Sequence, residues 1–308
     1  MLRSTILFMA RNQVVHDTIV RLPPTRAVVK RFVPGETQDE CVAAVRDLAS
    51  RGLLSTIDYL GEDTTNQQQA IDTANAYVSL LQRLDAEGLA ASAEVSVKLS
   101  AVGQSLPQGH DLAFENAGRV CAAAADAGTT VTLDMEDHTT TDRTLGMLAE
   151  LRAEYPSTGA VVQAYLKRTP GDCRALAASG SRVRLCKGAY QEPPMVAHQA
   201  KAEVDASYID CLRILMEGDG YPMVATHDPR MISTALSLAN VARRAPDRYE
   251  FQMLYGIRLE EQQRLADLGH RVRVYVPFGT DWYGYFMRRL AERPANLAFF
   301  LRALAGRR

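Results

Sequence analysis

The sequence predicts an α/β fold, a closed (βα)8 barrel, on three observations. Apolar, β-rich runs alternate with Ala- and Leu-rich helical stretches from Leu53 onward, eight such runs occur, and each ends on polar side chains. Strands that alternate with helices build a parallel sheet, and eight units in about 250 residues have the size of a closed barrel. An open doubly wound sheet is the architectural alternative. It normally carries GxGxxG after its first strand, and that motif is absent.

The runs are LLSTIDYL, SAEVSVKLS, TTVTLDME, GAVVQAYL, SRVRLCKGA, YPMVATHD, YEFQMLYG and HRVRVYVPFG. Between them lie helical stretches such as NQQQAIDTANAYVSLLQRLDAEG and DLAFENAGRVCAAAADAG, each stopped by a glycine. At their carboxyl ends the runs carry Asp58, Lys98, Asp134, Gln163, Arg184 with Lys187, His227, Gln252 and Tyr275. In a barrel these ends converge on one face, where the chemistry of this fold sits. One such residue is readily a cap; eight together point to a site.

The last helix, DWYGYFMRRLAERPAN, raises the sharpest question. Tyr285, Arg288, Arg289 and Glu292 share one stripe at i, i+3, i+4, i+7, while Trp282, Tyr283, Phe286, Met287 and Leu290 share the adjoining face. A solvated face usually mixes in Lys, Gln and Ser. A phenol, two guanidiniums and one carboxylate instead suit a forked grip on a small carboxylate. Because this helix follows the eighth strand, the stripe is expected to face the barrel mouth.

Composition narrows the classes. The chain has 308 residues, 47% hydrophobic, with a net charge of -1, so nothing in its charge calls for nucleic acid as a partner. Five cysteines without CxxC spacing argue against a disulfide framework or a zinc knuckle and fit a reducing cytoplasm. The opening MLRSTILFMARNQ has too short an apolar run for a secretory signal, and no stretch reaches the length of a membrane span. Walker, HExxH and GxSxG motifs are absent.

Individual constellations keep competing readings. Lys98 suits a Schiff-base amine or an ion pair with Asp134 on the next strand. DMEDH (Asp134 to His138) resembles a metal cluster, but Asp137 or a following Thr is more simply a helix N-cap, and no metal is expected. In RLCKGAY, Gly188 and Ala189 let a ligand approach the backbone, with Arg184 and Lys187 as positive charge for a phosphate or an electron-rich ring.

In order, VSVKLSA, LDMED, VVQAYLKR, RLCKGAY, ATHD, FQMLYG and YVPFGTDWYGYFMRRLAERPAN resemble the motifs of proline dehydrogenases, from Arg31 to the end of the chain. The resemblance implies a distorted (βα)8 TIM barrel with N-terminal helices. That is one domain over 1–308 with a helical segment over about 1–50, without the second catalytic domain of the fused bifunctional enzymes. It implies noncovalent FAD, oxidation of L-proline to Δ1-pyrroline-5-carboxylate and electron transfer to a membrane quinone. A functional link to a separate pyrroline-5-carboxylate dehydrogenase goes with it. Two departures concern FAD contacts: Asp228 stands where the family often has Asn, and Tyr255-Gly256-Ile257 replaces a more usual His-Gly-Met.

By motif position, the resemblance implies that Arg288, Arg289 and Lys98 hold the proline carboxylate while Glu292 orients the arginine pair. Asp134 would pair with Lys98, and Tyr190, Leu254, Tyr275 and Tyr285 would wall in the ring. Arg184 would reach the flavin, with Met135, Gln163, Lys187, Gly188, Ala189, Thr226 and His227 along the cofactor. A cationic cluster also disfavours the protonated amine, and so ties binding to activation. Competing functions are a Schiff-base or metal-dependent barrel lyase and a non-catalytic amino-acid sensor. The expected location is cytoplasmic with peripheral membrane contact, through the apolar and basic tail LAFFLRALAGRR.

Overall fold

The computed structural model describes residues 29–61 and 64–292, with side chains described as far as Arg289. The segments 1–28 and 293–308 lie outside it, and with them the tail read as a membrane contact and most of the N-terminal helical segment.

All eight expected strands form, and they close into one parallel barrel in chain order. They are β1 (Leu54–Tyr59), β2 (Ala93–Lys98), β3 (Val131–Asp134), β4 (Gly159–Gln163), β5 (Arg182–Cys186), β6 (Tyr221–Ala225), β7 (Glu250–Leu254) and β8 (Arg271–Phe278). Pairing of β1 with β8, Leu54 opposite Arg273 through Tyr59 opposite Phe278, completes the ring. Helix α1 (Gln38–Ser50) precedes the barrel. Each strand is then followed by a helix: α2 (Gln67–Ala86), α3 (Gly109–Asp126), α4 (Thr141–Glu154), α5 (Thr169–Ala178), α6 (Lys201–Glu217), α7 (Pro229–Val241), α8 (Leu259–Asp267) and α9 (Trp282–Glu292).

Local chemistry sets the helix ends. Thr37 caps α1 in a capping box with Glu40, and Asn66 caps α2 by accepting the Gln69 N–H. The expected stop at Gly128 occurs: its φ of +71° turns the chain out of α3 at little cost for a residue without Cβ.

Successive strand residues point to opposite faces, so each strand serves two environments. Outward positions such as Val95, Val97, Leu133, Val162, Leu185 and Val274 are fully or nearly fully buried against the helices. Inward positions are largely polar: Glu94, Ser96 and Lys98 on β2, Arg182 and Arg184 on β5, Glu250 and Gln252 on β7. Barrels of this type usually fill the centre with bulky branched side chains. Here four carboxylates meet four cations instead: Asp58 with Lys98, Glu94 with Arg182, Asp134 with Arg184 and Glu250 with Arg273. Their formal charges cancel.

Helix α9 crosses the open end of this barrel. Its apolar face is buried: Phe286 packs on Phe32, and Trp282 donates from Nε1 to Glu36 at 2.9 Å. The stretch before α1 therefore backs α9 and turns the Tyr285–Arg288–Arg289 stripe toward the barrel.

Candidate active site

A cavity of about 650 Å³ opens at the carboxyl ends of the strands under α9. Its wall gathers the sequence-predicted site residues, Lys98, Asp134, Met135, Gln163 and Arg184 among them, with the exception of Glu292, whose side chain lies outside the described residues. Asp58 and Gln252, read from the sequence only as polar strand ends, also line it.

Strand register brings the charged groups together. Lys98 lies beside Asp134 in the β2–β3 pairing, yet its ammonium turns the other way. Lys98 Nζ is 2.7 Å from Asp58 Oδ2 and 3.9 Å from Asp134 Oδ2. The expected Lys98–Asp134 pair is thus the looser of two contacts, because Asp134 is already engaged. Asp134 Oδ1 accepts from Arg184 Nη1 at 2.7 Å and from Ser96 Oγ at 2.7 Å, and Oδ2 accepts from Tyr275 Oη at 2.8 Å.

Arg184 is 3% exposed, and each guanidinium nitrogen has a partner. Nη1 also donates to Ser96 Oγ at 2.8 Å, Nη2 donates to Thr56 Oγ1 at 3.1 Å, and Nε donates to Gln252 Oε1. The guanidinium lies 5.4 Å from the centre of the Tyr275 ring. Burial works against its charge, but Asp134 and Glu94 more than offset that and raise its pKa. Burial, with Asp134 and Asp58, pushes the Tyr275 phenol well up, so it stays a hydrogen-bond donor.

The β5 loop follows. Lys187 Nζ bridges Asp205 on α6 and Asp228, the latter at 2.9 Å. Asp228 also caps α7 through the Arg230 N–H, which an Asn would do equally well, but only an acid forms the ion pair. Gly188 has φ +118°, and a Cβ there would come within 2.3 Å of the Tyr165 ring. The glycine is therefore required by a protein contact on its own, apart from any close approach by a ligand. Gln163 spans the mouth, donating to Glu136 O at 2.8 Å and accepting the Ala189 N–H at 3.4 Å.

Further round, His227 Nε2 accepts the Leu254 N–H at 3.0 Å, which ties the ends of β6 and β7 and assigns the proton of a neutral ring to Nδ1. Thr226 Oγ1 accepts the Asp228 N–H. Met135, Ala189, Tyr190 and Leu254 line the wall, and Arg289 lies 4.9 Å above the Tyr285 ring. Tyr285, Arg288 and Arg289 do face the cavity, as the helical stripe predicts.

The DMEDH carboxylates are committed elsewhere. Glu136 accepts from Ser100 N and Oγ, Asp137 accepts the Thr139 N–H at 2.8 Å, and His138 pairs with the buried Glu192. Asp137 thus makes a turn just ahead of α4, whose first residue is Thr141.

A largely apolar cavity with a few charged side chains, at the carboxyl face of a closed eight-stranded barrel, defines a small-molecule enzyme of the (βα)8 class. Among solved structures, the chain resembles part of proline utilization A from Bdellovibrio bacteriovorus, a protein crystallised after inactivation by N-propargylglycine. The TM-score is 0.79 at 28% identity, over 86% of this chain and 32% of that one. The chain thus spans about a third of that larger protein. Proline dehydrogenase 1 of Bacillus subtilis is 37% identical over 304 residues, 99% of each chain, and proline dehydrogenase of Deinococcus radiodurans is 40% identical over 280 residues, 90% of each. The sequence model of the proline dehydrogenase family matches residues 41–302. The chain belongs to the proline dehydrogenase family, whose members are oxidoreductases acting on proline.

Proposed function

We propose that this chain oxidises L-proline to Δ1-pyrroline-5-carboxylate with noncovalently bound FAD and hands the electrons to a membrane quinone. The observation that carries the reading is the meeting of Arg288, Arg289 and Lys98 on the wall of one cavity. Two guanidiniums and an ammonium on that wall suit an anionic ligand.

Two features support a cofactor in the same cavity. A single amino acid fills only a small part of 650 Å³, a volume within the range of about 300–1,000 Å³ typical of sites for larger ligands. The wall along β4–β6 also supplies the donors such a group needs: Arg184, Lys187 and the backbone at Gly188 and Ala189, with Met135, Gln163, Thr226 and His227 beside them. FAD bound there would supply the two-electron acceptor.

The remaining chemistry belongs to the chain. Arg288 and Arg289 hold the substrate carboxylate in a forked grip with Lys98. Tyr190, Leu254, Tyr275 and Tyr285 enclose the pyrrolidine ring and exclude water. Forming the product C=N bond removes two electrons and two hydrogens across the N–C bond of the ring, and the nitrogen lone pair makes the new π bond. The amine therefore has to be neutral, and three nearby cations lower its pKa while they bind the carboxylate. Asp134 holds Lys98 at a distance, fixes Tyr275 and balances Arg184.

A membrane quinone as acceptor implies contact with the bilayer surface; no helix among the described residues is long and apolar enough to cross a bilayer. A separate pyrroline-5-carboxylate dehydrogenase would consume the product. The test is an anaerobic spectrum of the FAD-treated protein before and after L-proline. Bleaching of the flavin band is expected. A protein that takes up no FAD, or whose flavin stays oxidised under saturating proline, overturns the proposal.

A further inference from the structure

Gln252 lines the cavity with both ends of its amide engaged. Oε1 accepts from Arg184 Nε, and Nε2 donates to Glu250 Oε1. An amide facing a guanidinium has two orientations, and only one of them offers an acceptor. Glu250 decides between them. As a carboxylate it accepts only, so it draws the NH2 group and turns the carbonyl oxygen to Arg184. Glu250 is itself clamped by Arg273, Nε to Oε1 at 2.7 Å and Nη2 to Oε2 at 3.1 Å, and both residues are buried.

Space filling alone would be met by an apolar side chain on β7. A hydrogen-bond acceptor is required if Arg184 Nε is to be held as its two terminal nitrogens are held by Asp134, Ser96 and Thr56, and an amide supplies one while donating to Glu250. Fixing all three nitrogens fixes both the plane of the guanidinium and its rotation within that plane. We infer that Gln252 is a positioning residue: it passes the rigid orientation of the Glu250–Arg273 pair to Arg184 at the flavin end of the cavity. The assignment rests on the proposed FAD-dependent oxidation, and it deepens that reading by naming what aims Arg184.

The test is a double-mutant cycle on FAD-loaded protein, reading the limiting rate of flavin reduction and the apparent Kd for proline in anaerobic stopped-flow. Gln252→Met, close in volume and without the acceptor, lowers the limiting rate about tenfold, the scale of one lost hydrogen bond to a charged group. Its apparent Kd stays within twofold of wild type. Placed on Arg184→Met, the same change alters the rate less than twofold, because its effect passes through Arg184. A Gln252→Met rate within twofold of wild type, or a tenfold loss that persists on Arg184→Met, overturns the assignment alone. A wild-type flavin that proline does not reduce overturns the FAD-dependent oxidation and the assignment with it. Should Gln252→Met fail to fold, Gln252→Leu, also without an acceptor for Arg184 Nε, carries the same cycle with the same deciding outcomes.

Discussion

Two sets of ion pairs are stacked inside the barrel, and they differ in what lies on their open side. In the floor set, Glu250 receives Arg273 through two nitrogens as well as Gln252 and Tyr221, and Glu94 receives Arg182 and Thr132. In the mouth set, Asp58 pairs with Lys98 and Asp134 with Arg184, and all four line the cavity. Replacing a buried ion pair by apolar residues of the same volume is often neutral or stabilising, whereas removing one partner is strongly destabilising. The floor therefore contributes orientation rather than raw stability: it supports Arg184 through Gln252, while the mouth meets the ligand. Removing charge from the floor should injure the fold, and removing it at the mouth should injure binding.

Glu250→Ala removes the two-nitrogen partner of the buried Arg273, leaving it Ser55 O and the more distant Glu94, and should destabilise the protein by about 3–5 kcal/mol, measured by urea unfolding. A loss below about 1 kcal/mol would mean that Arg273 finds another partner, and would dissolve the distinction between floor and mouth. Arg288→Met and Arg289→Met should each weaken proline binding by about 1.5–3 kcal/mol while leaving FAD uptake and unfolding midpoints unchanged. Wild-type affinity in both variants would remove the clamp.

A third test uses pH on the Lys187–Asp228 contact at the rim. Burial works against the Asp228 carboxylate, yet Lys187 and the Arg230 N–H hold its pKa below the ordinary value of a free carboxyl. Burial likewise opposes the Lys187 ammonium, and Asp205 and Asp228 raise its pKa. The carboxylate's contribution to stability is thus present above about pH 4 and is lost as pH falls through the depressed folded pKa. The lysine's is present below about pH 10 and is lost as pH rises through its raised folded pKa. Thermal unfolding across pH should show a shallower acid limb in Asp228→Asn than in wild type, and identical limbs would take Asp228 out of the account. The smallest effect belongs to the exposed Arg213–Asp210 pair at 2.7 Å. Arg213→Ala should shift stability by no more than about 0.5 kcal/mol, and a larger shift would contradict the ranking of floor, mouth and surface.

What the sequence determined by itself is what depends on near neighbours. Period-two strands, helix stops such as Gly128, the carboxyl-end polar residues and the Tyr285–Arg288–Arg289 stripe follow from backbone geometry repeated over a few residues, and they suffice to read the barrel and most of its cavity wall. Even the polar interior left a trace, in the alternating Glu94-Ser96-Lys98 and Arg182-Arg184 patterns on strands whose other face is apolar. Only the tertiary structure decided the partners. Barrel closure brings Glu94 to Arg182 across 88 positions and Arg273 to Ser55 across 218. It also gives Lys98 to Asp58 rather than Asp134, and turns the Gln252 amide by way of Glu250. Each of those choices is a competition among several charged groups within a few ångströms, and the distances that settle it exist only once the ring is closed.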